Sequence, residues 1–218
     1  RLTNSTGTLG FDKVGTGTLT LSGNSSIGGT FSLDGGGIVA NHPNAAGGST
    51  ATLAVNAGTM TLGTSLNVGY LNGNGGTISG TGVNTVTVNY GGSTSTVLAN
   101  GSGTGDVFLA AGSLRYNVAE QYTGGTRLAS GTSLFFGNNG NVGGTVTASN
   151  STLVSLITAN NPSSTVGAAM TTPPGALVTF FGGVQANTFS GAFNGAADST
   201  NVFTGTFSVS ATEGFSNY

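Results

Sequence analysis

The stretch Lys13-Val14-Gly15-Thr16-Gly17-Thr18-Leu19-Thr20-Leu21-Ser22-Gly23-Asn24 decides the fold of this chain. Its centre alternates Thr and Leu, which is the two-residue period of a strand with one solvated and one buried face. Thr is β-branched and favours extended backbone, whereas the flanking Gly residues suit tight turns. The stretch therefore predicts a short β-strand between two turns.

The same alternation recurs along the chain, notably from Val83 to Tyr90 and from Val202 to Ala211. Asn-Gly pairs, such as those at Asn72, Asn100 and Asn194, predict tight turns because both residue types tolerate positive φ. No segment has a convincing helical period. We therefore expect an all-β protein.

A Gly-Gly-[Thr/Ser] element divides the chain into short units. It begins at Gly28, Gly47, Gly75, Gly91, Gly124 and Gly143. The spacing is irregular but centres on about 20 residues, which is the size of one rung of a β-solenoid. The sequence therefore predicts a parallel β-helix, with an antiparallel β-sandwich as the alternative.

The opening stretch, together with Ile27-Gly28-Gly29-Thr30, resembles the autotransporter-associated β-strand repeat. A second copy runs from Tyr122 to Leu134, although the half that should precede it, Gly103 to Leu114, departs from the pattern. The resemblance covers about Leu9 to Val146. It implies a parallel β-helix of the passenger type, found in secreted bacterial surface proteins with structural or adhesive roles and no catalytic residues.

The composition changes after residue 150. Seven of the 12 Phe lie between Phe180 and Phe215. We therefore divide the chain into a Gly/Thr-rich solenoid region, 1–150, and a C-terminal Phe-rich β cap or assembly segment, 151–218. The expected strands of the second part are Leu177–Phe181, Thr188–Phe193 and Val202–Ala211, arranged as a solenoid cap, an antiparallel meander or an extension that pairs with another subunit.

Charge is scarce, with four Lys and Arg and six Asp and Glu among 218 residues. Four cations cannot form the basic patch that nucleic-acid binding requires. There is no Cys, which excludes disulfides and thiolate metal sites. No apolar run approaches the length of a membrane-spanning helix. We expect no cofactor, no nucleic acid and no membrane span, and the Thr/Ser/Asn-rich surface indicates a secreted or cell-surface location.

The titratable residues do not form a catalytic constellation. Asp34 and Asp106 are isolated in sequence, and His42 has no neighbouring partner. Glu120 lies between Arg115 and Arg127, which predicts a local ion-pair group. We therefore expect no catalytic residue, no metal site and no enzymatic activity, with a polysaccharide-active enzyme as the weakest alternative.

The ends of a solenoid are open strand edges that can template further pairing, and few charges are present here to protect them. The sequence thus predicts a structural protein whose partners are copies of itself, in a filament, sheath or surface layer. The alternative is an adhesin passenger segment that binds surface or matrix glycans. The expected assembly residues are Leu2, Leu9, Phe11, Phe203, Phe207, Val209 and Phe215.

Overall fold

Short β-strands make up all the regular secondary structure in the computed structural model, which describes residues 1–4, 7–137, 140–150, 152–156, 165–166, 169–172, 174, 177–181, 187–189, 193–204 and 207–209. The strands of the first half are β1 (Phe11–Lys13), β2 (Thr18–Leu21), β3 (Thr30–Leu33), β4 (Gly37–Ala40), β5 (Gly48–Val55), β6 (Thr59–Leu62), β7 (Leu66–Asn72), β8 (Thr77–Gly80), β9 (Val83–Thr94), β10 (Val97–Ala99) and β11 (Thr104–Leu109). Those of the second half are β12 (Ser113–Tyr116), β13 (Gly125–Leu128), β14 (Ser133–Phe136), β15 (Val146–Ala148), β16 (Thr152–Leu156), β17 (Thr165–Val166), β18 (Met170–Thr172), β19 (Leu177–Phe181), β20 (Asn187–Phe189), β21 (Phe193–Gly195), β22 (Thr200–Thr204) and β23 (Phe207–Val209).

Every pairing between these strands is parallel. Each strand pairs with its counterpart about one rung later, so the chain winds as a β-solenoid. The predicted parallel β-helix is confirmed, and the antiparallel β-sandwich, our alternative, is wrong.

The solenoid has three sides. The first side contains the opening parts of β5, β7 and β9, followed by β11, β13, β15, β18 and β21. The second side contains β1, β3, the closing parts of β5, β7 and β9, and then β12, β14, β16, β19 and β22. The third side contains β2, β4, β6, β8 and β10. In the later rungs β17, β20 and β23 form a separate sheet, and each of them follows a strand of the second side, as the strands of the third side do.

The predicted alternation places the apolar side chains inside. In β3, Phe31 and Leu33 are fully buried, and in β6 Met60 and Leu62 are buried in the same way. Thr18 and Thr20 of β2 are exposed, while Leu21 points inward. Buried residues of all three sides form one continuous core along the interior.

Glycine at the corners allows the rungs to stack closely. Gly58 has φ +79°, and a Cβ atom built on it would overlap the carbonyl oxygen of Gly36 in the preceding rung. Any larger residue would meet both a strained backbone and that oxygen. The abundance of Gly is thus a requirement of rung-to-rung contact.

The C-terminal strands continue the parallel stack. Leu177–Phe181 is confirmed as β19, and β16, β19 and β22 pair in parallel, which excludes an antiparallel meander for them. The predicted strands Thr188–Phe193 and Val202–Ala211 are wrong as single strands, since each covers parts of two strands that belong to different sheets, β20 and β21 in the first case and β22 and β23 in the second. The turns predicted at Asn72 and Asn194 are also wrong, because these residues lie within β7 and β21.

Candidate assembly interface

The N-terminal end of the solenoid presents open strand edges. Among the described strands, β1 pairs only with β3, and β2 pairs only with β4. Near them, Thr3 forms an isolated parallel bridge with Ser26, which adds a short edge on the first side. All three sides therefore end in backbone whose outer hydrogen-bonding groups face away from the stack.

The direction of these groups follows from parallel geometry, in which the N–H and C=O groups of one residue point to the same neighbour and successive residues alternate. The carbonyls of Gly17 and Leu21 accept hydrogen bonds from Gly37 and Asn41 of the next rung. The intervening even-numbered residues of β2, Thr18 and Thr20, therefore direct their N–H groups outward. The carbonyl of Lys13 accepts a hydrogen bond from the N–H of Asp34 in the next rung. By the same alternation, the backbone N–H of Asp12 points outward, away from β3.

The same end exposes part of the core. Leu2, Phe11 and Leu19 are half-buried and pack against the core, one from each side of the solenoid. The Phe11 ring stacks on that of Phe31, with centroids 4.9 Å apart. Leu9, in contrast, is exposed and lies before β1. Leu19 is not among the predicted assembly residues, although its place in the Thr–Leu alternation identifies it as an inward position.

The predicted C-terminal residues divide between two sheets. Phe203 lies in β22, which pairs only with β19 among the described strands, in register with Phe180. Phe207 and Val209 lie in β23, which pairs only with β20. Phe215 lies outside the described residues. The structure thus places Phe203 apart from Phe207 and Val209, rather than on the single strand that we expected.

One register column connects the two ends along the second side. It passes from Phe11 through Phe31, Leu53 and Leu71, and later through Leu114, Leu134, Val154 and Phe180 to Phe203. The outer edge of β1 and the outer edge of β22 are therefore opposite edges of the same parallel ladder.

A ladder of asparagines, which sequence reasoning missed, follows one corner of the solenoid. Asn44 donates to Asn24 over 3.0 Å, Asn67 donates to Asn44 over 3.3 Å, and Asn89 donates to Asn67 over 2.6 Å. The separations in sequence are 20, 23 and 22 residues, one rung each. We call these four residues the asparagine ladder.

The predicted ion-pair group around Glu120 is wrong. Glu120 is buried inside the solenoid, where its Oε2 atom accepts a hydrogen bond of 2.5 Å from the N–H of Leu98. Its Oε1 atom is buried and has no hydrogen-bond partner among the described residues. The carboxyl group points into the core because buried and exposed positions alternate, and proximity to Arg115 and Arg127 in sequence does not change that direction.

Burial raises the pKa of Glu120 to about 8, and the hydrogen bond from Leu98 opposes this shift. Nearby, the hydroxyls of Tyr116 and Tyr122 are 3.2 Å apart, and that of Tyr122 also contacts Thr126. Burial likewise raises the pKa of both tyrosines. We call Glu120, Tyr116, Tyr122 and Thr126 the Glu120 cluster. It lies in the interior beside a cavity of only about 10 Å³, which is lined in part by Tyr122.

Several other charged side chains among the described residues have a partner near the surface. Arg127 pairs with Asp106 over 3.3 Å, so our description of Asp106 as isolated is corrected. The guanidinium of Arg115 donates to Asn117, and Asp34 accepts from Asn56 in the next rung. His42 accepts a hydrogen bond from the backbone of Asn44 within a turn. The described residues contain no group of three His, Cys, Asp or Glu that could hold a metal ion.

Comparisons with known proteins return nothing similar: no family model, no curated protein and no solved structure matches this chain. In the part of the chain that the structure describes, no helix has the length and apolar character needed to cross a membrane.

Proposed function

We propose that this protein is a non-enzymatic structural subunit that stacks end to end into a filament, sheath or surface layer outside the cell. The observation that carries the proposal is the N-terminal end, where three open strand edges surround Leu2, Phe11 and Leu19. Pairing with another edge would bury these side chains and satisfy the outward backbone groups.

The two ends are suited to each other because all strands run parallel. An edge like that of β22 is what the outer edge of β1 would meet if the stack continued. Such head-to-tail contacts use two different surfaces and do not close, which generates linear assemblies. The column from Phe11 to Phe203 would then continue from one copy to the next.

Charge and composition support the same reading. Asp12 and Lys13 are the charged residues of β1, and the ammonium of Lys13 is held by carbonyls of Val14, Gly15 and Gly35. Charged side chains are a common means of preventing edge pairing, and this edge retains only Asp12 free for that purpose. The resemblance to the autotransporter-associated repeat favours a bacterial surface location.

Removing outward backbone donors tests the proposal. Proline at an edge position deletes an N–H group without disturbing the inward ladder. In the double variant Asp12→Pro/Thr20→Pro we expect the dissociation constant of the stacked form to rise about thirtyfold, since each lost hydrogen bond contributes about 1 kcal/mol. Sedimentation velocity over a concentration series measures the change, and negative-stain microscopy shows whether fibres disappear.

The control is Asp12→Ala/Thr20→Ala, which alters the same side chains and keeps both donors. It should assemble at least as well as the original chain, because it also removes the charge. A chain that remains monomeric at high concentration, or a proline variant that assembles as well as the alanine control, would contradict end-to-end stacking through this edge.

A further inference from the structure

Two tyrosines stand exposed on the outer wall, away from both ends. The rings of Tyr70 and Tyr90 have centroids 5.4 Å apart at an interplanar angle of 37°. Their exposed fractions are 42% and 48%, although aromatic side chains elsewhere in the solenoid, such as Phe31 and Tyr116, are completely buried. An exposed aromatic pair on neighbouring rungs is costly in water and therefore indicates a contact surface.

Local backbone turns hold this pair outward. In β7 the buried residues Leu66 and Val68 would place Tyr70 inside by strict alternation, but the pairing register shifts between Val68 and Tyr70, and Leu71 is buried instead. On the far side of the pair, Gly112 approaches the carbonyl of Tyr90 and has no side chain to cover the ring. Thr52 pairs with Tyr70 on the near side. Two small residues, Thr52 and Gly112, thus lie next to the pair in the rungs before and after it.

A polar groove of about 310 Å³ lies on the first side, and β5 leads from it to the second side, where Thr52 pairs with Tyr70. Asn24, Ser26, Asn44, Ser49 and Thr50 line it together with neighbouring Ser and Gly residues. This volume is within the range of small-ligand sites, and the lining supplies amide and hydroxyl groups that both donate and accept hydrogen bonds.

The groove leads to the tyrosines along β5. Thr50 lines the groove, and Thr52 lies two residues further along the same strand, beyond the register shift, where it pairs with Tyr70; neither residue is buried. The two residues from Thr50 to Thr52 span roughly 7 Å along β5, and the two rungs from Thr52 through Tyr70 to Tyr90 span roughly 10 Å across the strands. Groove and rings together form a surface long enough for an extended ligand rather than a single sugar.

No charged residue occurs between Pro43 and Gly105, the segment that contributes both tyrosines and most of the groove. None of the side chains that line the groove is charged. A sugar ring has an apolar C–H face that can pack on an aromatic ring, and hydroxyl edges that can hydrogen-bond to amides and hydroxyls. We propose that the groove and the Tyr70–Tyr90 pair form a binding site for an uncharged polysaccharide chain.

Affinity electrophoresis in gels containing laminarin, galactomannan or dextran tests this site, with polygalacturonate as the charged comparison. We expect retardation by at least one neutral polysaccharide, none by polygalacturonate, and no loss at about 0.5 M NaCl, where ion pairs are strongly screened. Tyr70→Ala/Tyr90→Ala should raise the dissociation constant for the polysaccharide about tenfold or more. Tyr70→Phe/Tyr90→Phe keeps the rings and should retain most of the binding.

Val83→Ala is the matched control, because Val83 is an apolar residue of β9 with 84% of its surface exposed, outside the groove and the pair. It should bind as the original chain does. The proposal is overturned if none of the three neutral polysaccharides retards the protein, or if the double alanine variant, folded by circular dichroism, is retarded as strongly as the Val83→Ala control.

Discussion

The asparagine ladder and the Glu120 cluster place polar side chains on successive rungs in opposite ways. In the ladder each inner member both donates to one neighbour and accepts from the next, so translation by one rung repeats a satisfied arrangement. In the cluster a single carboxyl group lies in the core with one oxygen bonded to Leu98 and the other without a partner among the described residues. An amide can be stacked indefinitely because it is both donor and acceptor, whereas an ionised carboxylate can only accept.

The difference indicates where stability depends on solution conditions. The ladder consists of neutral groups and should be insensitive to pH. The Glu120 cluster contains a buried acid that costs free energy whenever it ionises.

The largest effect is expected for Glu120→Gln. The folded chain raises the pKa of Glu120 from 4.5 to about 8, so its folded state holds a proton that the unfolded state has released. Stability should be greatest below about pH 4.5, fall as the pH rises to about 8, and be lower by on the order of 5 kcal/mol above that. Gln carries no charge and can still accept from Leu98, so the variant should lose this pH dependence. Urea unfolding followed by circular dichroism at pH 5 and pH 9 measures it.

Asp34→Asn provides the control, since it replaces a carboxylate by an amide at an exposed position and leaves Glu120, and with it the expected fall in stability, in place. If Glu120→Gln and the original chain lose the same stability between the two pH values, the buried acid is not the source of the dependence.

A smaller effect is expected from interrupting the ladder. Asn67→Ala removes both the bond donated to Asn44 and the bond accepted from Asn89, leaving two part-buried amides underused, and should cost about 1–3 kcal/mol. Asn24→Ala removes only a terminal, exposed bond and should cost less than about 1 kcal/mol. The denaturant midpoints of the two variants measure these losses of stability. Equal losses would show that the ladder contributes no more at its centre than at its end.

The smallest effect is expected for Arg127→Ala. Its ion pair with Asp106 lies at the surface, and the Arg127 side chain is 56% exposed. Such pairs are worth less than about 1 kcal/mol and are screened by salt. The unfolding midpoint should shift slightly at low salt and not at high salt. A loss as large as that of the Asn67 variant would mean that surface charge matters more here than the uncharged ladder.

The sequence was sufficient for the periodic parts of the fold. Thr18–Leu21 correctly predicted a strand with Leu21 inside, and the Gly28-Gly29 pair directly precedes β3, which begins at Thr30. These features depend on neighbours within a few residues. The asparagine ladder, in contrast, depends on which residues of successive rungs lie next to each other. The rungs here are 20, 23 and 22 residues long, so no fixed period predicts these contacts from the sequence.

The direction of individual side chains, inward or outward, was equally difficult to predict from the sequence. Tyr90 follows Val86 and Val88 at even spacing, which predicts an inward side chain, yet Gly91, at φ +108°, adjoins it and the ring is exposed. Glu120 was misjudged for the converse reason, because nearby arginines predicted a local ion-pair group, while the alternation of exposed and buried residues from Ala119 to Tyr122 directs its side chain inward. At both residues the local direction of the chain decides whether the side chain is buried, and the neighbouring sequence predicts the opposite.

The parallel stacking of rungs also has a mechanical meaning. Chain segments run across the long axis, and the hydrogen bonds between them lie along it, so tension applied from end to end loads one boundary between rungs at a time. Peeling a single rung of about 20 residues releases on the order of 70 Å of extended chain. Under load the solenoid would lengthen in discrete steps, each absorbing work, before its covalent backbone bears the full force.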